Sequence, residues 1–217
     1  HNKIYAIIEW LYNQNNVLKT QAAEINGFIK SSIAKKNGEK APDFQIVAAP
    51  TIFVDHARKK YDYPGGFTIG FVLLNPKSRG SVKISSSNPR DNPIIDPNMF
   101  GESEDLEKLI SVYEYIQKIL KYEKLANIIN GAIIGNFDME REELIKVINE
   151  YSFLLYHPTS TAAINKVVDT NLNVMGVKNL RIVDASVMPQ VTRGNTNAPT
   201  AAIAERAADL IKKHYNL

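Results

Sequence analysis

The chain has 217 residues, 44% of them hydrophobic and 23% charged, with a formal net charge of +3. That is ordinary globular usage and excludes a disordered, collagen-like or coiled-coil chain. The length fits one large domain or two small ones, and no apolar run reaches the roughly 18 residues that a membrane span needs.

Other exclusions follow from residue types. The 26 Lys and Arg are scattered among 23 acids without a basic stripe, which argues against a nucleic-acid partner. No cysteine is present, so disulfides, thiolate metal sites and thiol catalysis are ruled out. The four histidines are His1, His56, His157 and His214; none pair at i, i+4, so a helical His–His metal site is absent and no metal is expected. There is no signal-peptide pattern in HNKIYAIIEW and no Asn-x-Ser/Thr sequon.

In chain order, Ile4, Ile7, Ile8 and Leu11 predict an amphipathic helix over residues 1–12. Residues 21–32 read as loop and short helix, and 35–42 as an exposed polar loop. Residues 67–74 (FTIGFVLL) read as a strand, turned at Asn75-Pro76, with a second strand over 81–85 closing a hairpin. Residues 88–97, with three prolines, read as an irregular connection around a short buried Ile94-Ile95 core.

Ser103 is the expected cap of a helix carrying Leu106, Leu109, Ile110, Tyr113, Ile116 and Leu120. Asp138 is the expected cap of another, with Leu144, Val147, Ile148 and Tyr151 inward. Residues 152–156 (SFLLY) read as a short strand that delivers His157. Residues 172–183 read as two short strands around Met175-Gly176, the second ending at Asp184. Residues 197–213 form an alanine-rich helix, with Ala202, Ile203, Ala207, Leu210 and Ile211 expected inside. The order of elements predicts an α+β fold: an antiparallel sheet flanked by helices, with a soft boundary near 152–157.

Two places carry polar chemistry. His157 leaves an apolar run and is followed by Pro158, which restricts its backbone. The stretch from Asp184 to Thr200 passes through small polar residues into a helix, whose start offers free N–H donors and a positive dipole end. Each residue also has a bland reading: His157 as a packed histidine, Asn195-Thr196-Asn197 as a helix cap, Asp184 as a turn former.

The combination resembles a family. Tyr156-His157-Pro158 with Thr161, Val168-Asp169, Gly176-Val177, the run Leu180 to Pro189, Gly194-Asn195-Thr196-Asn197-Ala198-Pro199-Thr200 and Ala204 to Ile211 resemble the C-terminal signature of the glucose–methanol–choline (GMC) oxidoreductases. Upstream, Asn75 to Val82, Pro93 to Pro97 and Pro42 to Gln45 resemble its substrate-domain segments, in the manner of the insect glucose-dehydrogenase-like branch.

The resemblance implies FAD as cofactor, a small-molecule alcohol as substrate and hydride transfer from carbon to flavin. It implies His157 as the base and Asn195 as its catalytic partner. It places Asp184-Ala185 along the FAD and the backbone of Thr196-Asn197 at the flavin edge. An imidazole suits a base near neutral pH, and an amide can hold an oxygen without competing for its proton. Residues 1–156 would be the substrate-binding domain with an N-terminal linker helix. Residues 157–217, with a strand and the last helix, would return to complete the FAD domain. Secretion is implied by the resemblance alone.

Two departures stand out. Ser160 occupies a position where the family usually has glycine, and Ala162 to Asn165 replace its Cys-x-Met-Gly type stretch. No two of the eleven glycines are spaced Gly-x-Gly, so the pyrophosphate turn of a dinucleotide-binding domain is not in these residues. The chain therefore reads as a C-terminal portion needing an N-terminal FAD-binding partner: a processed half, a fragment or a shortened protein. The alternative is a shortened, non-catalytic relative that binds a ligand or another protein. With the N-terminal half missing, some of the apolar surface around Val183, Val187, Ala198, Ala201, Ala202, Ile203 and Ala207 is expected to face water or a partner, with a second chain, a dimer contact or disorder around 185–200.

Overall fold

In the computed structural model, residues 7, 8, 11, 12, 23–58, 61, 63 and 65–217 are described. The N-terminal helix expected over 1–12 lies largely outside them, although Ile7, Ile8, Leu11 and Tyr12 are helical and exposed. The protein is α+β, as its element order implies. It divides into two compact units, residues 1–29 with 45–72, and residues 30–44 with 73–217.

Three strands form one sheet in the order β1 (Ile25–Ile29), β2 (Phe44–Ala49), β3 (Thr68–Leu73). β1 replaces the loop and helix expected over 21–32. Its Asn26 side chain accepts a hydrogen bond from Gln45 Nε2 of the central strand at 2.9 Å, so tertiary pairing overrides the local loop-and-helix reading.

The second unit holds the remaining elements. The short helix α1 (Ser32–Lys36) is capped by Ser31, whose hydroxyl accepts from the Ala34 N–H at 3.0 Å and donates to Asp43 Oδ2 at 2.6 Å. Asp43 also accepts from the Ser31 N–H at 2.7 Å and is fully buried.

The expected 67–74/81–85 hairpin is not formed. β4 (Ser81–Lys83) pairs antiparallel with β5 (Ile94–Asp96), in the register Ser81↔Asp96, Val82↔Ile95, Lys83↔Ile94. The physical reason lies in Asp105. Its buried carboxylate accepts from the N–H groups of Lys77 and Ser78 and from the Ser78 hydroxyl, at 2.6–2.9 Å, and leads the connection away from β3. A Cβ at Gly80 would clash with Asp96 O and Pro97, so only glycine lets β4 start this close to the end of β5. Ile94 and Ile95 belong to this ribbon and are exposed rather than buried.

The helix α2 (Ser103–Leu120) buries Leu109, Ile110, Val112 and Ile116, as its periodicity predicts. Ser103 is its first helical residue rather than its cap; Glu102 stands at the cap position without a side-chain bond. A short α3 (Glu123–Ala126) follows, then α4 (Arg141–Tyr151), which buries Leu144 and Ile148. Asp138 does not cap α4; it pairs with Lys121 at 2.6 Å. Arg141 and Glu107 form an ion pair between α4 and α2.

Residues 152–156 are not a strand. Tyr156 takes a left-handed φ of 58°, which breaks the extended run just before His157. Over 164–181 the expected strands shrink to isolated bridges, Val168 with Val174 and Asn173 with Arg181, with Gly176 at φ 80° in the turn. The last helix, α5 (Asn197–Tyr215), packs Ala207 into a small core with Val168, Leu172 and Val187. Ile203 packs against that core, whereas Ala198, Ala201 and Ala202 are exposed. The expectation of exposed apolar surface thus holds for these alanines and fails for Val187 and Ala207, which are buried.

Candidate functional site

The corner between residues 180 and 200 is built from caps and turns. Asp184 accepts the Ser186 N–H at 2.7 Å and starts a 3-10 turn over Ala185–Val187. Val187 and Met188 are buried beneath it. The segment after His157 is stitched onto this corner, because the N–H groups of Ala162 and Ile164 donate to Ser186 O and Val187 O at 3.0 and 2.9 Å. Asp169, in the turn below, accepts from the side chain and N–H of Asn173, which hold its carboxyl below the usual carboxylate range.

Thr196 lies 39 positions after His157, and the fold brings the two together. His157 Nδ1 and Thr196 Oγ1 are 3.1 Å apart. Thr196 is only 8% exposed, and its carbonyl accepts both the N–H and the hydroxyl of Thr200, at 3.0 and 2.7 Å. The hydroxyl is therefore fixed against the imidazole, while His157 itself is half-buried with its Nε2 edge left for another group.

The other expected site residues surround this contact in sequence. Asn195 is exposed, and its side chain has no hydrogen-bond partner among the described residues. Asn197, also exposed, is the first residue of α5. Ala185 is half-buried in the 3-10 turn. Asp184 is exposed, and its carboxylate is engaged as a turn cap, as the bland reading had it. Among the described residues, no group of three or more His, Cys, Asp or Glu is placed to hold a metal, and no helix is long and apolar enough to cross a membrane.

Two features escaped the sequence. The Thr196 side chain, not only its backbone, belongs to the site. Ser160 sits at φ 75°, in the left-handed region that favours glycine. The glycine usual at that position in the resembling family was the one signal for it.

Residues 76–204 match the profile of the GMC oxidoreductases. An alcohol dehydrogenase [acceptor] of Pseudomonas putida is 34% identical over 220 residues, covering 99% of this chain and 39% of its own length. An ecdysone oxidase of Bombyx mori is 43% identical over 155 residues, 69% of this chain and 23% of its own. A formate oxidase variant of Aspergillus oryzae, described for its FAD modification, superposes with a TM-score of 0.78 at 22% identity, covering 99% of this chain and 42% of that one. The chain belongs to the GMC oxidoreductase family. Members of that family bind FAD, and this chain spans well under half the length of these relatives.

Proposed function

We propose that this chain is the substrate-side portion of an FAD-dependent oxidoreductase that oxidises a small-molecule alcohol, with His157 as base and Asn195 as its partner. The observation that carries this reading is the His157–Thr196 contact, which unites the family's two site motifs. Residues 1–156 then act as the substrate-binding domain and 157–217 complete the FAD side. An N-terminal FAD-binding portion, from the same precursor or a separate chain, supplies the phosphate cradle that these glycines do not form.

The residues present fit the ring end of such a cofactor. The first N–H groups of a helix lack intrahelical partners. In α5, Pro199 has none to offer and Thr200 donates to Thr196 O, which leaves those of Asn197 and Ala198, both exposed. Two free donors and a positive dipole end suit an electron-rich ring edge. When bound, FAD supplies the hydride acceptor.

The chain's own residues handle the proton. With Thr196 Oγ1 accepting from Nδ1–H, Nε2 of His157 carries the free lone pair and takes the alcohol proton. The Asn195 amide, without a side-chain partner among the described residues, donates to the substrate oxygen and holds it as the alcohol carbon gives up hydride and the carbonyl forms.

General-base catalysis contributes about 10²–10⁴-fold. In the flavin-loaded protein, His157→Ala should slow flavin reduction by a good alcohol substrate about a hundredfold or more. Slowing of less than about tenfold, 1.4 kcal/mol of barrier, rejects His157 as the base.

A further inference from the structure

Arg193 lies two residues before Asn195, outside the motif that carries the site. Its guanidinium reaches 150 positions back along the chain. Nη1 donates to Pro42 O at 2.7 Å and more weakly to Ala41 O at 3.4 Å, and Nη2 pairs with Glu39 Oε2 at 3.1 Å.

Such a pair on an open surface would be worth little. This one is anchored. The other Glu39 oxygen accepts from Lys108 Nζ at 2.9 Å, and Lys108 is 1% exposed. Lys108 Nζ also lies 3.4 Å from Glu104 and 3.8 Å from Asp43, the latter bonded to Ser31. A planar guanidinium with three acceptors in a fixed fork is oriented as well as attracted. Between Arg193 and α5, by contrast, the loop is held only locally: the Gly194 N–H donates to Thr192 O at 2.8 Å, the Thr192 hydroxyl donates to Gly194 O at 3.3 Å, Asn195 is exposed, and Thr196 alone reaches away, to His157.

We infer that Arg193 is a positioning residue, clamping the start of the Gly194-Asn195-Thr196 segment to Glu39–Pro42 so that the Asn195 amide and Thr196 hydroxyl are held at His157. This rests on the reading of His157 and Asn195 given above. A misplacement of about 1 Å far from the chemistry can cost on the order of 10²-fold, so a loosened segment should act on the rate more than on binding.

The test uses the flavin-loaded protein with Arg193→Ala, Arg193→Lys and Glu39→Gln, followed by amide exchange and by substrate-driven flavin reduction. Arg193→Ala should speed exchange of the 194–198 amides about tenfold and leave those of 168–174 unchanged. It should lower the saturating reduction rate about tenfold with little change in half-saturating substrate, and Arg193→Lys should recover part of both. The double variant Arg193→Ala/Glu39→Gln should be no slower than the slower single variant, because both break one clamp. Unchanged exchange at 194–198, or faster exchange with an unchanged rate, overturns the proposal. His157→Ala keeps the two readings apart: if that variant is fully active the base assignment fails, while the exchange result still decides whether the clamp exists.

Discussion

The surroundings of Lys108 and those of His157 lie in one compact unit and are built on opposite principles. Lys108 is buried with Glu39, Asp43 and Glu104 around it, and its ammonium is within hydrogen-bonding or ion-pair reach of all three. Among the described residues, His157 is half-buried with one side-chain hydrogen-bond contact, to Thr196, and Asn195, next to Thr196 in sequence, is exposed with no side-chain partner. Buried charges that satisfy one another hold structure and leave little over for a ligand; here only Glu104 Oε1, 3.4 Å from Lys108 Nζ, lacks a hydrogen bond among the described residues. Polar groups set on a small apolar core, with part of their hydrogen-bonding capacity unused, are equipped to receive one. The contrast separates scaffold from candidate site more sharply than burial or charge alone.

The largest effect should come from emptying the scaffold. Removing one partner of a buried ion cluster costs about 3–5 kcal/mol, because the remaining charges are left without compensation. Lys108→Met removes the cation shared by Glu39, Asp43 and Glu104, leaving Glu39 only Arg193 and Asp43 only its Ser31 bonds, and chemical denaturation should show a loss approaching that size. The Glu39→Gln/Lys108→Met pair should lose less than the sum of its single variants. An additive result would mean that the cluster is not one unit.

On the site side, Thr196→Val removes a hydroxyl and keeps the shape. The His157 ring then loses its hydrogen bond to that hydroxyl. If Thr196 fixes the tautomer, flavin reduction should fall about tenfold, 1.4 kcal/mol of barrier, while Thr196→Ser restores it. The melting temperature should barely move, in contrast to Lys108→Met. A large stability loss in Thr196→Val would place this contact with the scaffold instead.

Much of this contrast was hidden in the sequence. The helices α2, α4 and α5 were legible because Leu109, Ile116, Leu144, Ile148 and Ala207 recur at helical spacing. β3 was legible from its run of β-formers, yet its partner was not, since Asp105 redirects the chain from a position 28 residues after Lys77. β2 shows no alternation in its burial, because Phe44 and Gln45 are both buried, and it carried no period to read. The His157 and Asn195 motifs were legible as local strings. The cluster was not: Glu39 and Lys108 are 69 positions apart, Glu39 and Arg193 are 154 apart, and charges at such distances look like any solvated surface residues.

Acid should weaken the scaffold. The Lys108 hydrogen bond, helped by Arg193, holds the Glu39 carboxyl below its ordinary value of 4.5, and the Lys77 hydrogen bond, helped by Lys108, does the same for Glu104. For a carboxylate with a lowered folded pKa, the stabilisation is complete above the unfolded value and is lost as pH falls through the folded one. Stability should therefore drop below about pH 4.5, with a shallower slope in Glu39→Gln. Lys108 has the opposite sign: burial disfavours its charge, but the Glu39 bond and neighbouring carboxylates outweigh that and raise its pKa. Its contribution persists through neutral pH and fades only above the ordinary lysine value of 10.5. A slope unchanged by Glu39→Gln would detach the acid sensitivity from the cluster.

The smallest effect sharpens the comparison from the site side. Ser160 is held at φ 75°, three residues after His157, with its hydroxyl 2.9 Å from Thr159 Oγ1. A left-handed conformation costs a non-glycine residue about 1–2 kcal/mol. Glycine takes it freely, but its greater freedom in the unfolded chain returns about 0.5–1 kcal/mol of that gain. The balance predicts that Ser160→Gly stabilises the protein by about 0.5–1 kcal/mol, read as a higher denaturation midpoint at an unchanged slope. A destabilised variant would show that the Thr159–Ser160 hydroxyl contact outweighs the backbone strain. A stabilised one would locate strain beside His157, as strain gathers at functional sites, in contrast to the charge cluster at Lys108, which is held by ion pairs.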